Sequence, residues 1–127
     1  MNSDELKRRT KQFALRVMKL ADALPRGTAV RAIGGQLIRS GTSVGANYRA
    51  ACRGRSKAES AAKMGIVAEE ADESCFWFEL IIEGGLLEER LVKPLLDEAN
   101  ELTAIFTAAA KTSRLSNRQS KIEDRTS

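Results

Sequence analysis

The chain contains no histidine. This removes the usual general base, the usual zinc ligand and the Glu-x-x-His element from which di-iron bundles are built. Aromatic residues make up only 5% of the 127, with one tryptophan and one tyrosine, so a surface that stacks successive nucleic-acid bases is not expected. Proline occurs twice and cysteine twice. So few prolines leave long helices uninterrupted. Cys52 and Cys75, without CxxC spacing, read as buried free thiols in a reducing compartment rather than as a disulfide or metal site. No stretch approaches the roughly 18 to 20 apolar residues of a membrane span, and the first residues carry no apolar run of signal type. A soluble, cytoplasmic chain is the expectation. Glycine loops of the kind that cradle phosphates in dinucleotide or nucleoside triphosphate sites are also missing, and no cofactor or metal is expected.

What is abundant is alanine, leucine, glutamate, arginine and lysine, the composition of a helical protein. The length is that of one domain with a real core. The net charge of +4 hides a strong asymmetry. Residues 25–57 carry seven bases and no acid, whereas residues 58–110 carry three bases and twelve acids. A basic half and an acidic half neutralise each other within one bundle or between neighbouring copies.

The apolar spacing predicts four helices. The first runs from about Asp4 to Leu24, capped by Ser3, with Leu6, Phe13, Val17, Leu20 and Leu24 on one face. Pro25, Arg26 and Gly27 end it. Thr28 caps a second helix that continues to about Arg53. Its four internal glycines each cost up to ~1 kcal/mol against alanine, and their density reads as a tight helix contact. Ser56 with Glu59 forms a capping box that starts the third helix, and Gly84 and Gly85 stop it after Glu83. A fourth helix follows with Leu91, Leu95, Ala99, Leu102, Phe106 and Ala109 on one face. Pro94 requires either a start near Lys93 or a kink after an earlier start at Glu88. Residues 112–127 are polar and aperiodic, and read as a disordered tail after a bundle spanning residues 1–111. Short connections make the bundle all-α and antiparallel, up-down-up-down.

Two of these helices have more than one committed face. Wound at about 100° per residue, the second helix places Ile33, Leu37, Val44, Tyr48 and Ala51 on an apolar arc. Ser40, Ser43 and Asn47 form a polar stripe beside it, read as a satisfied helix contact rather than a pocket. Arg31, Arg39, Arg49 and Arg53 share the remaining arc and, with Arg55 and Lys57, are the best candidates for phosphate contacts to RNA or DNA. An ordinary solvated face, or pairing with acids of the third helix, is the competing reading. On the third helix Met64, Val67, Ala71, Cys75, Phe78 and Ile82 make one apolar stripe. Ile66, Trp77 and Leu80 lie elsewhere, among Glu70, Glu73 and other acids. A large aromatic flanked by acids outside the core stripe reads as an oligomer contact, since tryptophan is enriched at interface centres.

Catalytic constellations are weak. Ser60 to Lys63 reads S-x-x-K, a spacing used by serine hydrolases of the β-lactamase class, but it falls early in an alanine-rich helix and the companion motifs SDN and KTG are absent. Glu69, Glu70, Asp72 and Glu73 point several ways round a helix, as a solvated acidic surface does. A non-enzymatic protein is expected.

The run SGTSVGANYRAACRGRSKAE from Ser40 to Glu59, followed by EEADESCFWFEL at Glu69 to Leu80, resembles the family of proteins encoded in intervening sequences of bacterial 23S ribosomal RNA genes. The likeness covers about residues 5 to 113. A more distant relative is the accessory protein of diversity-generating retroelements, for which nucleic acid and a reverse transcriptase are the implied partners. The resemblance implies an antiparallel four-helix bundle assembled into a homopentamer, with a role mostly unassigned. Ser60 and Ala61 stand where relatives often carry phenylalanine and a larger aliphatic residue. The functional expectation is a homo-oligomeric scaffold or binding module, with a nucleic-acid accessory factor using the basic face of the second helix as the alternative. In either case a protein partner is allowed and a membrane is not.

Overall fold

The computed structural model describes residues 1–126. Four helices occur in the order α1 (Ser3–Asp22), α2 (Thr28–Cys52), α3 (Lys57–Glu83) and α4 (Glu89–Thr126), with no strand among the described residues. None of the helices is long and apolar enough to cross a membrane.

Local chemistry sets the boundaries. Asn2, one residue before the serine expected to cap α1, accepts from the Glu5 amide at 2.9 Å. Asp4 and Glu5 then sit in the first turn, where negative charge favours the helix dipole. Ser56 caps α3 by accepting from the Glu59 amide at 3.1 Å. The Glu59 carboxylate reaches back to the Arg55 amide at 3.3 Å, one residue beyond the reciprocal bond of a standard capping box. At the other end of α3 the amide of Gly85 donates to Ile82 and that of Leu86 donates to Ile81. This pair of bonds is the Schellman arrangement, and it needs the left-handed φ of 66° that Gly85 adopts.

α4 begins at Glu89 and passes through Pro94, the earlier start of the two alternatives. It also corrects the expectation of a disordered tail, because the helix continues through residues 112–126. No glycine or proline follows Pro94 to stop it. Ser113, Asn117 and Ser120 are half-buried at helical spacing, and Lys57 Nζ donates to Ser120 Oγ at 2.6 Å. The last fully buried side chain on α4 is nevertheless Ala110, and Leu115 and Ile122 are exposed.

Cross-helix contacts fix the topology. On α1 and α2, Thr10 meets Gly45, Val17 meets Gly41 and Leu24 meets Gly34, an antiparallel register. Ser40 meets Ser74, and Ser60 bonds to the Ala51 carbonyl, so α3 runs antiparallel to α2. Cys75 meets Asn100, and Lys57 meets Ser120, so α4 runs antiparallel to α3. The up-down-up-down bundle follows. Its core is filled by Phe13, Val17, Leu37, Val44, Phe78, Ile81, Leu102 and Phe106. Phe13 meets Phe78 edge-on at 6.3 Å, and Tyr48 tilts against Phe106 at 5.2 Å. Burial pushes the Tyr48 phenol up to about 12, with the Cys52 thiol beside it as a second cause.

Several side chains differ from their expected burial. Thr10 is fully buried on α1 because its hydroxyl donates to the Leu6 carbonyl at 2.8 Å. On α3 Ser74 and Ile81 are buried, while Met64 and Ile82 are only partly covered. On α4 Val92 and Ala110 replace Leu91 and Ala109 at the ends of the stripe. A helix turns 3.6 rather than 3.5 residues per repeat, so a stripe drawn through its middle drifts at its ends. Cys75 is buried, and burial raises its thiol pKa, but Cys52 is exposed, which corrects the expectation for that residue.

The seam between α1 and α4 is the least extensive of the four, and Arg9 makes two ion pairs across it. Arg9 forks onto Glu98, with both of its bonds at 2.7 Å, and also reaches Glu101 at 2.9 Å. The Arg9 hydrogen bond holds the Glu98 carboxyl below its ordinary value of 4.5, against the opposing effect of burial.

Two predictions follow from this packing. A β-carbon on Gly41 would lie 2.9 Å from both methyls of Val17, whereas one on Gly35 would meet nothing within 4 Å. Gly41→Ala is therefore expected to destabilise by about 1–3 kcal/mol, and Gly35→Ala to stabilise by about 0.5–1 kcal/mol, in urea denaturation. The second concerns pH. A lowered folded-state pKa means that ionised Glu98 stabilises the fold above the ordinary carboxylate range, and that this stabilisation is lost as pH falls through the lowered value. Glu98→Gln should be less stable than wild type at neutral pH by about 1–2 kcal/mol, with the gap closing on acidification below pH 4.5. A constant gap down to pH 3 would contradict the assignment.

Candidate partner-binding surfaces

The residues singled out on α2 do not form one surface. Arg39 is committed within its own chain, donating to Glu70 at 2.9 Å and to Glu73, while its Nε reaches Gln36 at 3.2 Å. Arg31, Arg49, Arg53 and Arg55 are exposed and make no ion pair among the described residues. Arg31 lies near the start of the helix, in an open hollow with Arg26, Gly35 and Ile38. Arg49 lies near its end, and antiparallel packing brings it to the first turns of α1. There Lys7, Arg8, Lys11 and Arg49 line a recess of about 140 Å³. Sequence reasoning missed the three α1 residues, because no periodicity along one helix tells which residues of another will stand beside it.

The polar stripe splits as well. Ser40 and Ser74 are both fully buried and share a hydrogen bond of 2.9 Å between α2 and α3. Ser74 donates to the Glu70 carbonyl at 2.9 Å and so accepts from Ser40, whose hydroxyl also lies 3.3 Å from the Leu37 carbonyl. Ser43 bonds back to the Arg39 carbonyl at 2.6 Å, and the Asn47 amide donates to that of Ser43 at 2.9 Å. Only Ser40 of the three therefore crosses to another helix by a side-chain bond.

On α3, Ile66 is exposed, while Glu70, Glu73, Trp77 and Leu80 are half-buried. Trp77 packs partly against the core, and its indole N–H donates to Glu73 at 3.1 Å. Its outer side carries Phe76, 51% exposed, with ring centroids 5.0 Å apart at 70°. Phe76 was not selected from the sequence, although it stands next to Trp77. It lies about 100° round the helix from Trp77, on the solvent side. Ile66, Phe76 and Leu80 together with Glu69, Asp72, Glu79 and Glu83 make this flank apolar and acidic at once. The flank of α1 and α2 at the same height carries exposed Leu15, Met18 and Ile38 beside Lys19, Arg26 and Arg31, with Asp22 the acid among them.

Comparison with known proteins places this geometry in context. A family described as 23S rRNA-intervening sequence protein matches residues 3–108. Among solved structures, a protein of unknown function from the S23 ribosomal protein family of Bacteroides thetaiotaomicron VPI-5482 is similar, with 28% identity and a TM-score of 0.79. The match covers 87% of this chain and 99% of that one. No curated protein matches.

Proposed function

We propose that this chain, which belongs to the 23S rRNA-intervening sequence protein family, works as a non-enzymatic bundle that assembles with its own copies into a scaffold or binding module. The observation that carries this reading is the uncovered Phe76, seated on Trp77 and ringed by acids, on a helix whose opposite face is already core. A compact monomer of this mass exposes about 6,700 Å², and this chain exposes 7807 Å². The α4 extension and the uncovered flanks share the difference.

The acidic, apolar flank of α3 and the basic, apolar flank of α1 and α2 stand at the same height. Copies placed side by side with parallel axes thus meet with opposite charges facing and with apolar side chains between them. Such a contact is heterologous, and it closes into a ring if its rotation permits. The number five rests on the family likeness alone. With both cysteines free, the reducing cytoplasm is the setting that suits the chain. A second reading, a nucleic-acid accessory factor, is favoured by the unpaired bases at the end of α2, whereas Arg39 is spent on Glu70 and Glu73.

Multi-angle light scattering tests the assembly. The wild type is expected to elute as a multimer, and Phe76→Glu to lower its mass toward one chain with helical content unchanged. Phe76 is a cleaner target than Trp77, whose removal would also disturb the core. A wild type that is monomeric, or a Phe76→Glu variant of unchanged mass, would retire the proposal.

A further inference from the structure

The bases of this protein gather at one end of the bundle. Residues 1–12, 41–69 and 106–126 lie toward the start of α1, the α2–α3 connection and the end of α4, and hold fourteen bases against six acids. The remaining residues hold seven bases against eleven acids. This end-to-end separation is a product of the fold, because each connection returns the chain to the end where its charge sign accumulates.

Within the basic end one feature has the shape of a binding groove. Thr10 and Gly45 bring α1 and α2 close, leaving a shallow channel floored by Ala14, Thr42 and Ala46. Lys7, Lys11 and Arg49 stand along it, with Arg8 beside them. None of the four pairs with a carboxylate among the described residues. Arg53, one turn beyond Arg49, extends the line toward the exposed Arg55.

We propose that this groove between α1 and α2 binds the phosphate backbone of nucleic acid without reading its sequence. The proposal rests on the nucleic-acid reading and not on self-assembly, since one copy holds the whole groove. Small floor residues let a sugar-phosphate strand approach the helices, and bases on both walls neutralise successive phosphates and release their counterions. No aromatic side chain is exposed there to stack on bases, Tyr48 being buried against Phe106, so RNA and DNA duplexes are held alike. A protein partner is disfavoured because the groove offers no large apolar anchor. A lipid surface is disfavoured because a membrane-bound helix presents a continuous apolar face, whereas Leu115 and Ile122 are the only large apolar side chains on residues 111–126. In a ring of parallel copies every groove falls near the same rim, which multiplies avidity.

The test measures fluorescence anisotropy of a short RNA duplex, and of the DNA duplex of equal length, across a salt series. Wild type should bind both with similar affinity, weakening steeply as salt rises. The triple variant Lys7→Gln, Lys11→Gln, Arg49→Gln is expected to lose about tenfold or more at low salt, with a salt slope shallower by roughly 0.9 for each phosphate contact removed. Arg90→Gln, Lys93→Gln removes two positive charges from the other end, away from the proposed contact between copies, and should bind as wild type. Circular dichroism checks that both variants are folded. If wild type binds neither duplex at low salt, the nucleic-acid reading itself fails. If wild type binds but the two variants weaken equally per charge removed, the groove is wrong and only net charge matters. Retention on phosphatidylserine vesicles without duplex binding would assign the bases to a membrane and overturn the proposal.

Discussion

The close approach of α1 and α2 governs the rest of the molecule. Gly41 lets the Val17 methyls sit where a β-carbon would otherwise stand, and Gly45 does the same for Thr10. With the two backbones this near, Leu37, Val44 and Tyr48 turn inward toward α3 and α4, and the outer side of the pair is left with small residues between rows of bases. Glycine in a helix interior loses about 1 kcal/mol of helix propensity. Packing of Val17 and Phe13 into the core must more than offset that loss, and each is fully or almost fully buried. The same glycines that weaken α2 as an isolated helix therefore seat it against α1 on one side while its other side packs on α3.

α2 meets its two neighbours by different chemistry. Toward α1 the contact is steric, with no side-chain hydrogen bond across it among the described residues. Toward α3 it is polar, through the buried Ser40 and Ser74 hydroxyls and the Arg39 fork outside them. Ser40 donates to Ser74, which in turn donates to the Glu70 carbonyl, so each hydroxyl is satisfied in a region where an orphaned one would cost about 1–3 kcal/mol. A pair of facing hydroxyls fixes the register of α2 on α3 more narrowly than alkyl packing does, since sliding by one turn would part them. Arg39 closes this seam at the surface as Arg9 closes that between α1 and α4.

The fold was largely legible from the sequence because its punctuation is strong. Ser56 with Glu59, and the Gly84–Gly85 pair, give the bounds of α3, and proline and glycine after Leu24 separate α1 from α2. The end of α4 was not legible, because a polar segment without breakers reads equally as tail or as solvated helix, and the bonding of Lys57 to Ser120 involves residues 63 positions apart. Burial was legible along the middle of each stripe and lost at its ends, as Leu91 and Met64 illustrate. The surfaces were legible only in part. A stripe on one helix says which residues are neighbours along it, so the arginines of α2 looked like one face. Whether a base stands next to an acid, as Arg39 does, or next to other bases, as Arg49 does, depends on the partner helix and on the register that the glycines set.

That register also decides where charge accumulates. Reversing direction at each connection brings the basic start of α1 beside the basic end of α2, and the end of α4 beside the start of α3. The acids of α3 from Glu70 onward and those of the first half of α4 stay together at the far end. Had the same residues been arranged with α1 parallel to α2, Lys7 and Lys11 would lie near Arg31, and the bases would be spread along one flank rather than gathered. An antiparallel bundle thus turns a modest net charge into a molecule with two unlike ends. A contact between copies that uses the acidic height of the bundle leaves the basic height uncovered. The proposed contact between copies and the proposed phosphate groove thus draw on different residues of α1 and α2.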